Sequence, residues 1–222
     1  MVNNELCYKN GIVIKTGHVS SEFEVYKRMF EYASRASRTS LNVCGKVECH
    51  PGIIKWYPEL SSRHQIVMES GRVTHYRLGE TSVISILNDI IPALKFMHSA
   101  GIYHMDVRSS NIVAIDYDKY KLIDFGISFI ADVDDSITSG AVNSWGRYPP
   151  EFNENFKNIS PAVDIWMTGI YALETMFDFR WWPDKTEKYY SEMENCINNI
   201  MDYNLKKRIR YMLKRDPKLR KF

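Results

Sequence analysis

The side chains best suited to chemistry lie in two stretches: His104-Met105-Asp106-Val107-Arg108-Ser109-Ser110-Asn111, and then Leu122-Ile123-Asp124-Phe125-Gly126. Mg²⁺ takes oxygen ligands and keeps several waters, so one carboxylate and one amide, Asp124 and Asn111, suffice on the protein side. Asp106 can accept a hydrogen bond from an attacking hydroxyl. This combination suits phosphoryl transfer, in which the protein positions reactants and offsets charge and does little covalent work. Gly126 is expected to let the chain turn sharply beside Asp124.

These loops need a frame. Glu5 to Lys15 reads as two short strands folded back at Asn10-Gly11, a dipeptide favoured in tight hairpins. From about Ser21, residues Phe23, Tyr26, Met29, Phe30 and Ala33 recur at helical spacing, and the polar run Ser34 to Ser40 is expected to end that helix. Gly52 to Tyr57 and Gln65 to Met68 read as two further strands around a Ser-Ser-Arg-His turn. Val83, Ile86, Leu87, Ile90, Ile91, Leu94 and Met97 then form the apolar stripe of a helix that starts near Ser82 and stops at Gly101. Ile112 to Ile115 and Lys121 to Ile123 read as strands joined by a turn at Asp116 to Lys119. A polar loop from about Ala131 to Arg147 precedes two or more helices, the clearest from Pro161 to Phe177. A boundary falls at Glu69-Ser70-Gly71, between a small sheet with one helix (1–69) and a mainly helical part (70–222).

Composition narrows the class. Hydrophobic residues at 45% and charged residues at 25% fit an ordinary globular chain of 222 residues. A net charge of +2 gives no reason to expect a nucleic-acid partner. The basic run from Lys206 to Lys221 is expected to be a solvated helix face. Cys7, Cys44, Cys49 and Cys196 have no metal-ligand spacing and read as free thiols of a reducing compartment, cytoplasmic or nuclear. No signal-peptide pattern and no membrane-spanning apolar run is read, so no membrane partner is expected.

The order of motifs resembles the protein kinase family. His104 to Asn111 resembles the catalytic loop H-R-D-L-x-x-x-N, and Asp124-Phe125-Gly126 the D-F-G metal motif. His50-Pro51-Gly52-Ile53-Ile54-Lys55 is similar to the family's "HPNIIK", and Val67-Met68-Glu69 to the hinge. Tyr148-Pro149-Pro150-Glu151 resembles the end of the activation segment, and Asp164-Ile165-Trp166-Met167-Thr168-Gly169 the D-x-W-x-x-G helix beneath the catalytic loop. Leu213 to Arg220 resembles the closing "L-x-x-D-P-x-x-R", whose Arg pairs in the family with the activation-segment Glu, here Arg220 with Glu151. The resemblance implies an α+β, two-lobed fold: a reduced N-lobe of small antiparallel sheet plus one helix, and a mainly helical C-lobe.

It also implies a site. Lys15 stands for the lysine that binds the α- and β-phosphates of ATP and pairs with a helix Glu. Glu22 is preferred for that Glu, from a run similar to casein kinase 1 and vaccinia-related kinases, with Glu24 and Glu31 open. Met68 is the implied gatekeeper, and Glu69 opens the segment that meets adenine. Asn111 and Asp124 are the implied Mg²⁺ ligands, Asp106 the residue that orients the hydroxyl, and Arg108 the cation near the transferred phosphate. His104 is expected to be a buried structural histidine, and Trp181-Trp182-Pro183 an aromatic anchor for the last helices.

Three departures stand out. Nothing before Lys9 resembles the glycine-rich phosphate loop, which leaves one sheet edge short and weakens expected ATP binding. Met105 replaces the Arg that collects an activation-loop phosphate, so switching at Ser136, Thr138, Ser139 or Ser144 is not expected. Arg108 replaces a Lys, as in some tyrosine kinases, whereas the activation-segment ending favours Ser/Thr specificity. The leading expectation is a reduced Ser/Thr kinase acting on a protein substrate, weakly or with a partner's help. The alternative is a non-catalytic decoy that binds another kinase or its substrate, as truncated viral kinase-like inhibitors do. The compact size is associated with viral or effector members. A small-molecule phosphotransferase is disfavoured by the peptide-platform motifs.

Overall fold

The computed structural model describes residues 5–37, 49–74, 77–131, 147–152, 159–180 and 186–222. Strands β1 (Glu5–Lys9) and β2 (Ile12–Thr16) form the hairpin that Asn10-Gly11 predicts. Both turn residues adopt positive φ, 49° and 77°, the left-handed geometry that matches strand twist. Helix α1 (Ser20–Ser37) follows, burying Val25, Tyr26 and Met29, and it runs into the polar stretch as far as Ser37. Strand β3 (Gln65–Glu69) pairs antiparallel with β2, giving the order β1-β2-β3.

The Gly52–Tyr57 segment departs from expectation, since it makes isolated bridges rather than a continuous strand. The reason lies in its hydrogen bonds. Ile54 N donates to Leu122 O at 3.0 Å, whereas Lys55 O accepts from Glu69 N and Tyr57 N donates to Val67 O, both at 2.9 Å. Its first half bonds to one sheet and its second half to another.

The second sheet is β4 (Arg72–Val73), β6 (Ile112–Asp116) and β7 (Lys119–Leu122), in the order β4-β6-β7. Its hairpin turns at Tyr117-Asp118, within the predicted turn, with Asp118 at φ 66°, and β7 starts at Lys119, two residues earlier than predicted. Helix α2 (Glu80–Ser99) starts ahead of Ser82, where the Glu80 carboxylate accepts from the N–H groups of Met201 and Asp202. Its predicted apolar stripe is the buried one. Short strands β5 (Ile102–Tyr103) and β8 (Phe129–Ile130) pair beyond it. Helices α3 (Pro161–Phe177), α4 (Glu187–Asn198) and α5 (Tyr203–Met212) complete the helical part. Gly169 in α3 admits α5 closely, because a Cβ there would sit 2.8 Å from the Leu213 side chain.

The basic run is not uniformly solvated. Arg210 and Arg215 reach Glu194 and Glu187 at the surface, but Arg220 is buried against Glu151. Cys7, Cys49 and Cys196 are free thiols. Among the described residues, no helix is long and apolar enough to cross a membrane. Cys44, Trp181-Trp182-Pro183 and the hydroxyls of Ser136, Thr138, Ser139 and Ser144 lie outside the described residues.

Candidate active site

Lys15 sits mid-strand on β2, and Glu22 lies in the first turn of α1. The Lys15 ammonium bonds to Glu22 Oε2 at 2.6 Å and to Asp124 Oδ1 at 2.8 Å. The structure therefore selects Glu22 from the three candidate acids: Glu24 pairs with Arg63 at 2.8 Å, and Glu31 lies by a separate groove near Arg28 and Arg35. The second Glu22 oxygen faces Phe125 N at 3.4 Å, so one carboxylate joins the helix, the lysine and the segment after β7.

The electrostatics follow from this geometry. Burial works against the Lys15 ammonium, but the two carboxylates outweigh it and raise its pKa. Burial raises the Glu22 carboxyl, which Lys15 only partly offsets. Burial also works against Asp124 ionising, yet the Lys15 charge prevails and holds its pKa below the usual carboxylate value. The Asp124 side chain remains 48% exposed, leaving it accessible from the cleft.

The catalytic-loop residues are held from beneath. Asp164 on α3 is fully buried, and its oxygens accept from His104 N, Met105 N and His98 Nε2, each at 2.8 Å. Met105 is buried at φ 68°, and its carbonyl accepts from Tyr148 Oη at 3.2 Å. Asn111 Nδ2 donates to the Asp106 backbone oxygen at 2.9 Å and to Asp106 Oδ2 at 2.8 Å. With its nitrogen so engaged, the Asn111 amide keeps its oxygen as the metal-capable end. Ile123 N donates to Asn111 O at 3.0 Å, which ties this loop to the Asp124 segment.

The turn at Asp124-Phe125-Gly126 works differently from the sequence expectation. Asp124 itself takes the left-handed conformation, at φ 62°, and Gly126 does not. Gly126 supplies space instead, since a Cβ there would lie 3.3 Å from Asp124 Oδ1.

A cleft of about 250 Å³ is lined by Lys15, Glu22, Met68, Glu69 and Asp124, with Leu6 and Tyr8 at its rim. Asp106, Asn111 and Arg108 are not in its lining but lie on the adjoining loop. One Glu69 carboxylate oxygen accepts from Lys121 and from Lys55 N, and the Glu69 backbone N–H donates to Lys55 O, so the residue is held by the Gly52–Tyr57 segment and by β7. Arg108 does not join the Lys15 cluster; its Nε is buried without a partner, and its charge acts on Glu174, which Arg147 holds at 3.0 Å.

Several supporting contacts carried no signal in the sequence. Trp56 stacks on Tyr26 at 5.5 Å, Tyr26 meets Phe125 edge-on at 5.1 Å, and Phe125 meets His104 at 5.3 Å. This aromatic column runs from α1 to the catalytic loop, with Tyr26 one turn beyond Glu22 on the same helix face. Helical spacing marked Tyr26 as core but not what it would touch. Neither the His98–Asp164 nor the Lys121–Glu69 contact was legible either.

Among the described residues, no cluster of three His, Cys, Asp or Glu side chains could hold a metal by itself. The donor set of Asp124 and the Asn111 oxygen fits Mg²⁺ only if phosphates and waters complete its coordination, as is usual for this ion.

Comparison with known proteins decides the family. The protein kinase domain family matches residues 10–222. The chain belongs to the protein kinase family. Relatives of this kinase domain include "Mitogen-activated protein kinase 9" of Oryza sativa subsp. japonica, 26% identical over 172 residues, covering 71% of this chain and 24% of the relative. "CBL-interacting serine/threonine-protein kinase 21" of Arabidopsis thaliana is 23% identical over 225 residues, covering 90% of this chain and 53% of the relative. "Probable serine/threonine-protein kinase mkcD" of Dictyostelium discoideum is 28% identical over 165 residues, covering 68% and 24%. The kinase domain spans about a quarter of the length of the rice relative.

Proposed function

We propose that this chain transfers the γ-phosphate of Mg-ATP to Ser or Thr hydroxyls of a protein substrate. The observation that carries the reading is the double contact of Lys15 with Glu22 and Asp124. Bound Mg-ATP would supply the phosphoryl group and the charge the protein must offset. Lys15 faces the cleft with its ammonium already held in place, while Asp124 and the Asn111 oxygen would hold the metal. Asp106, fixed by the Asn111 amide, would accept a hydrogen bond from the substrate hydroxyl. The cytosol or nucleus is the proposed compartment, in keeping with the free thiols.

A second reading, a kinase-like decoy, is favoured by one observation. Leu6 and Tyr8, at the rim of the cleft, are 54% and 66% exposed, so this side gives a nucleotide little cover. Transfer of labelled phosphate from Mg-ATP onto the chain and onto generic protein substrates separates the two. Asp106→Asn and Asp124→Asn are expected to lower transfer by about a hundredfold or more. Absence of transfer, with no Mg-ATP-dependent thermal stabilisation, overturns the kinase reading and leaves the decoy.

A further inference from the structure

The outer edge of the small sheet has a pattern that catalysis does not use. Among the described residues β1 is an edge strand, and all five of its residues, Glu5-Leu6-Cys7-Tyr8-Lys9, are exposed. The ladder orientation follows from its neighbours. Val67 and Glu69 of β3 bond outward to Tyr57 and Lys55, so Ile66 and Met68 face β2 and bond with Lys15 and Val13. Ile12, Ile14 and Thr16 of β2 therefore bond to Lys9, Cys7 and Glu5. The backbone N–H and C=O groups of Leu6 and Tyr8 are left pointing to the open edge.

That edge is complementary to itself. In an antiparallel pairing of β1 with a second β1 centred on Cys7, Glu5 of each copy faces the partner's Lys9. Leu6 faces the partner's Tyr8, and the two exchange both backbone hydrogen bonds. Cys7 faces the partner's Cys7 in a non-hydrogen-bonded pair, where Cα atoms approach to about 4.5 Å. Acid meets base, apolar meets aromatic, and the outward backbone groups of Leu6 and Tyr8 find partners.

We propose that two copies of this chain pair edge to edge through β1, making one continuous sheet across a twofold axis. The occupant of the edge is a second copy because the charge order of the strand matches its own reversal. Leu6 and Tyr8 line the cleft rim, so the partner's Tyr8 and Leu6 extend its apolar cover on the side that is open in one copy. The inference stands apart from catalysis and survives if the chain transfers no phosphate.

The test is sedimentation of the reduced full chain over a dilution series, together with oxidation by copper-phenanthroline and mass-spectrometric mapping of the disulfide. The copper oxidant takes the two electrons as two thiols lose their protons and join. The expected result is concentration-dependent dimer and a Cys7–Cys7 link, absent in Cys7→Ser. Glu5→Lys alone or Lys9→Glu alone places like charges opposite and is expected to weaken association roughly tenfold. Combining E5K with K9E restores the opposite-charge pairing and the dimer. These side chains are exposed, and circular dichroism of each variant checks that the fold is intact. A monomer at every concentration, a link through another cysteine, or a Cys7 link unchanged by charge reversal overturns the proposal.

Discussion

Single residues in this site do more than one job. Lys15 holds two carboxylates at once, and Glu22 holds both Lys15 and the backbone of Phe125. Asp164 is the clearest case, because one buried side chain fixes the N–H groups of two consecutive catalytic-loop residues and the His98 ring. Burial alone would raise its carboxyl, but His98 and the Met105 N–H prevail and hold it below the usual carboxylate value. A group depressed in this way contributes stability above its unfolded pKa, about 3.9, and that stability is lost as pH falls through the folded value. Asp164→Asn is expected to cost about 2 kcal/mol near neutral pH. The gap between its thermal midpoint and that of the unaltered chain should narrow below about pH 4. A gap independent of pH would mean that the carboxylate's charge contributes nothing.

At the scale of elements, close approach matters as much as pattern. Gly52 stands where a Cβ would lie 2.4 Å from the Asp89 carbonyl of α2, and backbone cannot step aside as a flexible side chain can. Gly52→Ala is expected to destabilise the fold by about 3 kcal/mol, at the upper end for overpacking, measured by denaturant titration. The hairpin at Asn10-Gly11 and the stripe of α2 were legible because a turn dipeptide and a helical period are local properties of the chain. The Gly52–Tyr57 segment was not, because its run of Ile53, Ile54 and Trp56 says nothing about which neighbour takes each hydrogen bond. The choice among Glu22, Glu24 and Glu31 depended on how α1 is rotated over β2, which spacing from Lys15 leaves open. The strained residue of the Asp124 turn was missed for another reason: glycine is the usual tenant of positive φ, and here an aspartate takes it.

At the scale of the whole molecule, the last described residues are tied back to its middle. Arg220 meets the Glu151 carboxylate through both terminal nitrogens, one at 2.7 Å, and also donates to the Ala162 carbonyl at 3.1 Å. The segment around Tyr148 and Glu151 is thereby fixed against α3 as well as against Met105. The Gly52–Tyr57 segment links the two sheets in a different manner. Because these few residues are stitched into both, neither sheet can come apart while the other keeps its full set of bonds. Melting should accordingly be cooperative, a single calorimetric transition with matching calorimetric and van't Hoff enthalpies, and two resolved peaks would show the seam to be weaker than its bonding implies.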